Sequence, residues 1–151
     1  MEEYMTQYEA FQPELAIWTL YQSGQIAGAL TVIASAIFIW LALRVAVQTR
    51  DRQDTNMIQK IFASLFGILV VYGTFIQWTE NFGVLTGTIA GFNQVAEAGK
   101  SAGVELSNQA KFFVGYYAFA ADGLSYPGIP GSLFLLVVLG MILGAIWYPK
   151  D

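Results

Sequence analysis

The 151 residues are 56 % hydrophobic and 12 % charged, with a net charge of −4, against roughly 25 % charged in an average soluble domain, and this balance points to lipid. The acidic balance is no nucleic-acid footprint. With neither cysteine nor histidine, the sequence offers no disulfide, no thiolate or imidazole ligand for haem, iron–sulfur, copper or zinc, and no Ser-His or Cys-His pair.

The chain opens with "MEEYMTQYEAFQPELAIW", which is acidic and lacks the basic region and small-residue cleavage site of a secretory signal. Residues 1–25 are therefore read as an extracytoplasmic or interfacial segment ahead of a retained span. Within it, "PELAIWTLYQSG" places Leu15, Trp18 and Leu20 or Tyr21 at near-helical spacing after Pro13. That pattern predicts an interfacial helix leading into the membrane, with a partner-docking surface as the sharper alternative.

Residues 26–47, "IAGALTVIASAIFIWLALRVAV", are uncharged until Arg44, whose long side chain can snorkel to the headgroups. At 1.5 Å per residue, a hydrocarbon core of about 30 Å needs roughly 20 helical residues, so this is the first span. Trp40 lies deeper than an interfacial residue should. Residues 48–60 form a short connection, and Arg44, Arg50, Arg52 and Lys60 crowd around it, which marks it as cytoplasmic. Asp54, Thr55 and Asn56 are each suited to cap the helix that follows.

Residues 61–78, "IFASLFGILVVYGTFIQW", form the second span. The connection at 79–128 is too long for a structureless loop and predicts a helical hairpin. Leu85, Ile89, Phe92 and Ala96 share one face of its first helix, and Leu106, Ala110, Phe113, Tyr117 and Ala121 share one face of its second. "GKSAG" separates the two and "DGLSYPG" ends the second. A loop without any helix is the competing reading of the glycine-rich first half. The aromatic stretch at 112–121 could instead re-enter the membrane, although it is too short to cross. Residues 129–148 form the third span, opened by Pro130 and stopped by Pro149, and 149–151 are a tail.

The fold class expected is thus an all-α integral membrane protein with three transmembrane helices, an interfacial N-terminal helix and an extracytoplasmic hairpin between the second and third spans. The charge bias puts the N-terminus outside and the C-terminus inside: Arg44, Arg50, Arg52, Lys60 and Lys150 fall on the inner side, and only Lys100 and Lys111 on the outer. Trp18, Tyr21, Trp78 and Tyr126 would mark one interface and Trp147 and Tyr148 the other.

Small residues let helices in lipid approach closely. Gly24 and Gly28, Ala63 and Gly67, Gly83, Gly87 and Gly91, and Gly140 and Gly144 recur at helical spacing and are the candidate helix–helix or subunit contacts. The first helix adds Thr31, Ser35, Ala42 and Ala46, and the second adds Val70, Thr74 and Gln77. The glycine spacing fits neither a P-loop nor a dinucleotide fingerprint. No carboxylate falls in mid-span, where it would mark an ion path; Glu80 and Asp122 read as an interface charge and a helix stop.

These observations lead to a non-catalytic accessory or structural subunit of a larger membrane complex, for example a membrane-bound oxidoreductase, monooxygenase or energy-converting assembly. Its partners would be other integral membrane subunits and the lipid bilayer, with no nucleic acid. It would bind no cofactor by itself apart from lipids, and its setting would be a bacterial inner (cytoplasmic) membrane. The alternative is a homo-oligomeric transporter or channel lined by Thr31, Ser35, Thr74 and Gln77. An enzyme gathering Tyr116, Tyr117, Asp122 and Glu80 ranks third, because no spacing demands that cluster.

Overall fold

A computed structural model shows an all-helical chain built from α1 (Glu2–Asp51), α2 (Met57–Ala102), α3 (Asn108–Tyr116) and α4 (Gly128–Trp147). The structure describes residues 2–52, 54–103, 105–118 and 127–148, and of residues 2–11, 101 and 102 it describes the backbone alone. Three of its helices, Gln12–Asp51 within α1, Met57–Lys100 within α2 and Gly128–Trp147, are long and apolar enough to cross a membrane. Contacts divide the chain into two compact units, Met1–Gly28 with Asn81–Ser125 and Ala29–Glu80 with Tyr126–Asp151.

Two expected boundaries are absent. The N-terminal helix is continuous with the apolar stretch that follows it, because α1 runs unbroken from Glu2 with Pro13 inside it. The preceding "EEYMTQYEAFQ" is rich in strong helix formers, so Pro13 forfeits one backbone hydrogen bond without starting or ending the helix. Nor does a helix end at Trp78, since α2 continues through "WTENFG" to Ala102. Nothing between Trp78 and Gly83 breaks a helix, and the rise in polarity there changes its surroundings only. The hairpin therefore consists of the second half of α2 and the short α3. Gly103, at a φ of +69°, ends α2 in the left-handed conformation that only glycine adopts freely.

The tight connection between α1 and α2 is closed by side chains. The Thr55 hydroxyl donates to the carbonyls of Thr49 (2.6 Å) and Arg52 (3.0 Å). Of the three candidate caps, Asn56 serves: its Oδ1 accepts from the Gln59 N–H at 2.9 Å, and its own N–H donates to Gln59 Oε1 at 3.3 Å, a reciprocal capping box.

In the unit Ala29–Glu80 with Tyr126–Asp151, one narrow stripe from each helix meets the others. Ala42 and Ala46 of α1, Ala63 and Val71 of α2, and Leu135, Val138, Ile142 and Ile146 of α4 form its buried cluster. Gly67 admits Ile142: a Cβ on Gly67 would lie 2.5 Å from Ile142 Cγ2. Polar staples reinforce the seam. The Ser35 hydroxyl donates to Gln77 Oε1 at 2.8 Å, and the Trp147 Nε1–H donates to Ser64 Oγ at 2.9 Å. Trp78 stacks on Phe134 with ring centroids 6.0 Å apart.

Gly67→Ala is expected to cost about 1–3 kcal/mol through overpacking against the buried Ile142. Gly140→Ala, at a site with nothing within 4 Å of a new Cβ, should be neutral or stabilising by up to about 1 kcal/mol from helix propensity. Denaturant unfolding of both variants in one detergent checks the contrast, and equal effects would contradict this packing.

Candidate partner-contact site

The other unit, Met1–Gly28 with Asn81–Ser125, holds the features left unexplained by span packing. Its core forms where the two predicted apolar faces meet: Ile89 and Phe92 of α2 with Ala110 and Phe113 of α3, all buried, and Ile17, Trp18, Tyr21, Leu85, Leu106 and Tyr117 packed around them. The aromatic rings interlock edge to face, with centroids 5.2 Å apart for Trp18–Phe113 and 5.0 Å for Tyr21–Phe113. Such geometry sets the positive ring edge against the negative face of its neighbour.

A carboxylate orients this core. Glu14 is buried on α1 at 6 % exposure, and its oxygens accept from the Ser107 backbone N–H at 3.0 Å, from the Ser107 hydroxyl, and from the Trp18 indole N–H at 3.3 Å. Ser107 is the N-cap of α3, and its Oγ accepts from the Ala110 N–H at 3.2 Å. The negative charge thus sits at the positive end of α3, where unpaired amides and the helix dipole favour it. Three donors replace the water that a buried carboxylate loses. Glu14 was not among the sequence candidates.

Nearby in sequence, Lys111 bonds the exposed Glu105 carboxylate. That hydrogen bond and the lysine charge hold the Glu105 pKa below the ordinary carboxylate range. The resulting stabilisation is present above the unfolded pKa and fades as pH falls through the lowered folded value.

The candidate small residues separate into two sets. Gly24 faces Val84, where an added Cβ would stand 2.5 Å from Cγ1, and Gly28 faces Asn81 at 3.3 Å. Gly67 and Ala63 lie in the seam described above, and a Cβ added at Gly91 would lie 3.4 Å from Ile17 Cδ1. Gly83, Gly87, Gly140 and Gly144 have nothing within 4 Å of an added Cβ. Gly83 and Gly87 border an open groove of about 560 Å³ between α1 and α2, lined also by Leu20, Ser23, Ala27 and Thr88. The groove's hydroxyls are satisfied locally: Ser23 donates to the Leu20 carbonyl and Thr88 to the Val84 carbonyl. It is therefore an apolar trough with a glycine floor.

Of the residues that would line a polar path, Ser35 and Gln77 bond each other and Thr74 bonds the Val70 carbonyl of its own helix; Ser35 and Thr74 are buried. Tyr116 and Tyr117 pack edge to face at 4.8 Å, while Glu80 belongs to the other unit. Asp122 and Tyr126, with most of "DGLSYPG", lie outside the described residues, as do Lys150 and Asp151. The helical part of the 112–121 stretch ends α3, whose nine residues are too few to cross a bilayer. No group of three or more carboxylates suited to a metal occurs among the described residues. Comparison with protein-family models, with curated proteins and with solved structures finds no match to this chain.

Replacing Glu14 by Ala removes the acceptor of three donors and should cost about 2 kcal/mol. Hydrogen exchange at Ser107 and Ala110 is expected to accelerate more than tenfold, with Glu14→Gln intermediate because its amide oxygen still accepts. Unchanged exchange in Glu14→Ala would remove this clamp from the account.

Proposed function

We propose that the chain is a non-catalytic accessory subunit of a larger integral-membrane complex, of the kind formed by membrane-bound oxidoreductases, monooxygenases or energy-converting assemblies. The observation that carries this reading is the glycine floor at Gly83 and Gly87, which borders an open apolar groove and where an added Cβ would meet nothing within 4 Å. Each helical glycine costs about 1 kcal/mol relative to alanine. A helix of a neighbouring subunit resting in the trough would recover that cost through backbone contact.

The positive-inside bias supports a placement with the Arg44 to Lys60 connection in the cytoplasm and the hairpin of α2 and α3 on the opposite face. A bacterial inner membrane, with the hairpin periplasmic, is the setting this reading adopts. The chain's own polar seam is consumed in pairs such as Ser35–Gln77, which supports packing over conduction. The subunit's role is then mechanical, filling a seam between neighbours and covering an extracytoplasmic surface.

Solubilised gently from its native membrane, the chain should co-migrate with other integral subunits. Gly87→Leu, whose side chain would project into the open groove, should retain helicity while losing most of that co-migration. A free monomer in the native extract, or full co-migration of Gly87→Leu and Gly83→Leu alike, would refute the proposal.

A further inference from the structure

The cationic end of the spanning helices is built unlike an ordinary salt-bridged surface. Lys60, in the first turn of α2, holds its ammonium 5.7 Å from the ring centroid of Trp147 on α4. The same indole donates its N–H to Ser64 Oγ, and Ser64 donates to the Lys60 carbonyl at 2.9 Å. The ring is thereby fixed with its face toward the lysine. Arg44 repeats the arrangement on α1, its guanidinium 5.5 Å from the Trp40 ring. Trp40, too deep for an interfacial anchor by sequence position, serves as the platform for Arg44.

Among the described residues neither Lys60 nor Arg44 pairs with a carboxylate; the ion pairs there are Arg50–Asp51 and Lys111–Glu105. An ammonium carries three donors and a guanidinium five, and a cation–π contact uses the charge without accepting those hydrogens. Both cations are therefore placed and charged, with donors to spare. Ala46 and Ala63 belong to one buried cluster, which brings this end of α1 and the start of α2 together. The positive end of the α2 dipole adds to the local field.

The apolar surroundings identify the anion's class. Beginning one residue after Lys60, Ile61, Leu65 and Ile68 lie exposed along α2 at helical spacing. A soluble acidic partner would leave that stripe unmatched, whereas a phospholipid brings a phosphodiester and an acyl chain in one molecule. We propose that Lys60, seconded by Arg44, binds the phosphodiester of an anionic phospholipid, with an acyl chain lying along Ile61, Leu65 and Ile68. The proposal rests on the membrane-spanning reading above and not on the accessory-subunit role.

Electron spin resonance tests it, using the full chain in phosphatidylcholine bilayers with chain-spin-labelled phosphatidylglycerol or phosphatidylcholine. The motionally restricted population should favour phosphatidylglycerol about fivefold, the equivalent of about 1 kcal/mol for one cation near the surface. Lys60→Gln should bring that ratio close to unity with helicity unchanged, Lys60→Arg should preserve it, and Arg44→Gln should lower it in part. Millimolar inorganic phosphate should leave it intact. Equal association of the two lipids with the wild-type chain would overturn the proposal, as would selectivity that survives in the Lys60→Gln, Arg44→Gln double variant. Loss of selectivity to inorganic phosphate would reassign the site to the free anion. No restricted population with either lipid would instead overturn the membrane reading itself.

Discussion

Close helix approach through small residues is the constraint on which the structure depends. Between apolar helices in lipid there is no hydrophobic gain to drive association, so contact must come from packing and from hydrogen bonds. Gly67 receives Ile142 and Gly24 receives Val84 at distances that leave no room for a methyl group. Ala42, Ala46 and Ala63 allow the same closeness along the seam. Large apolar side chains such as Leu69, Phe62 and Leu136 are correspondingly displaced to the exposed surface, which in lipid is the comfortable place for them. At the seam the small side chains of α1 and α2 receive the larger Leu135, Val138, Ile142 and Ile146 of α4, while many other large side chains lie outside.

Buried hydroxyls obey the complementary rule, whereas the Trp78 Nε1–H is buried without a hydrogen-bond partner among the described residues. An unpaired donor is costly wherever water is excluded, and the buried hydroxyls here are spent on neighbours or on their own backbone, as in Ser35 to Gln77 and Thr74 to Val70. Glu14 is the extreme case, a charge tolerated inside because a helix start and an indole surround it with donors. This one residue joins α1 to the cap of α3, and the aromatic core then has a defined orientation. The two units thus use different adhesives: small-residue contact in one, and aromatic packing anchored by a carboxylate in the other.

Which parts of this were legible in the sequence follows from the range of the interactions. The faces Leu85–Ile89–Phe92 and Leu106–Ala110–Phe113 could be read because periodicity is local, and they coincide with the core that forms. The cap of α2 is legible to within three residues, Asn56 among them, for the same reason. The continuity of α2 through Trp78 and of α1 through Pro13 is not legible because hydropathy records a change of surroundings along a helix, not its termination, and because a proline that can start a helix is also tolerated, at a cost, inside strong helix formers. The Glu14 clamp was invisible since its partner is 93 residues away and a lone acid near the N-terminus looks like surface charge. Sequence spacing also could not tell Gly24 and Gly28, which meet Val84 and Asn81, from Gly140 and Gly144, which meet nothing.

That last distinction has an energetic side. A glycine in a helix forfeits about 1 kcal/mol relative to alanine, and at Gly24 and Gly67 the contact that alanine would obstruct offsets the loss. At Gly83 and Gly87 no contact within the chain does so, and the two together forgo about 2 kcal/mol, a large fraction of the 5–15 kcal/mol by which folded domains are typically stable. Local turn geometry cannot justify them, because both lie inside α2 at ordinary helical φ. Under the accessory-subunit proposal, a neighbouring helix would supply that compensation at Gly83 and Gly87. Gly91, third in the same series, differs from them: a Cβ added there would come into contact with Ile17 at 3.4 Å.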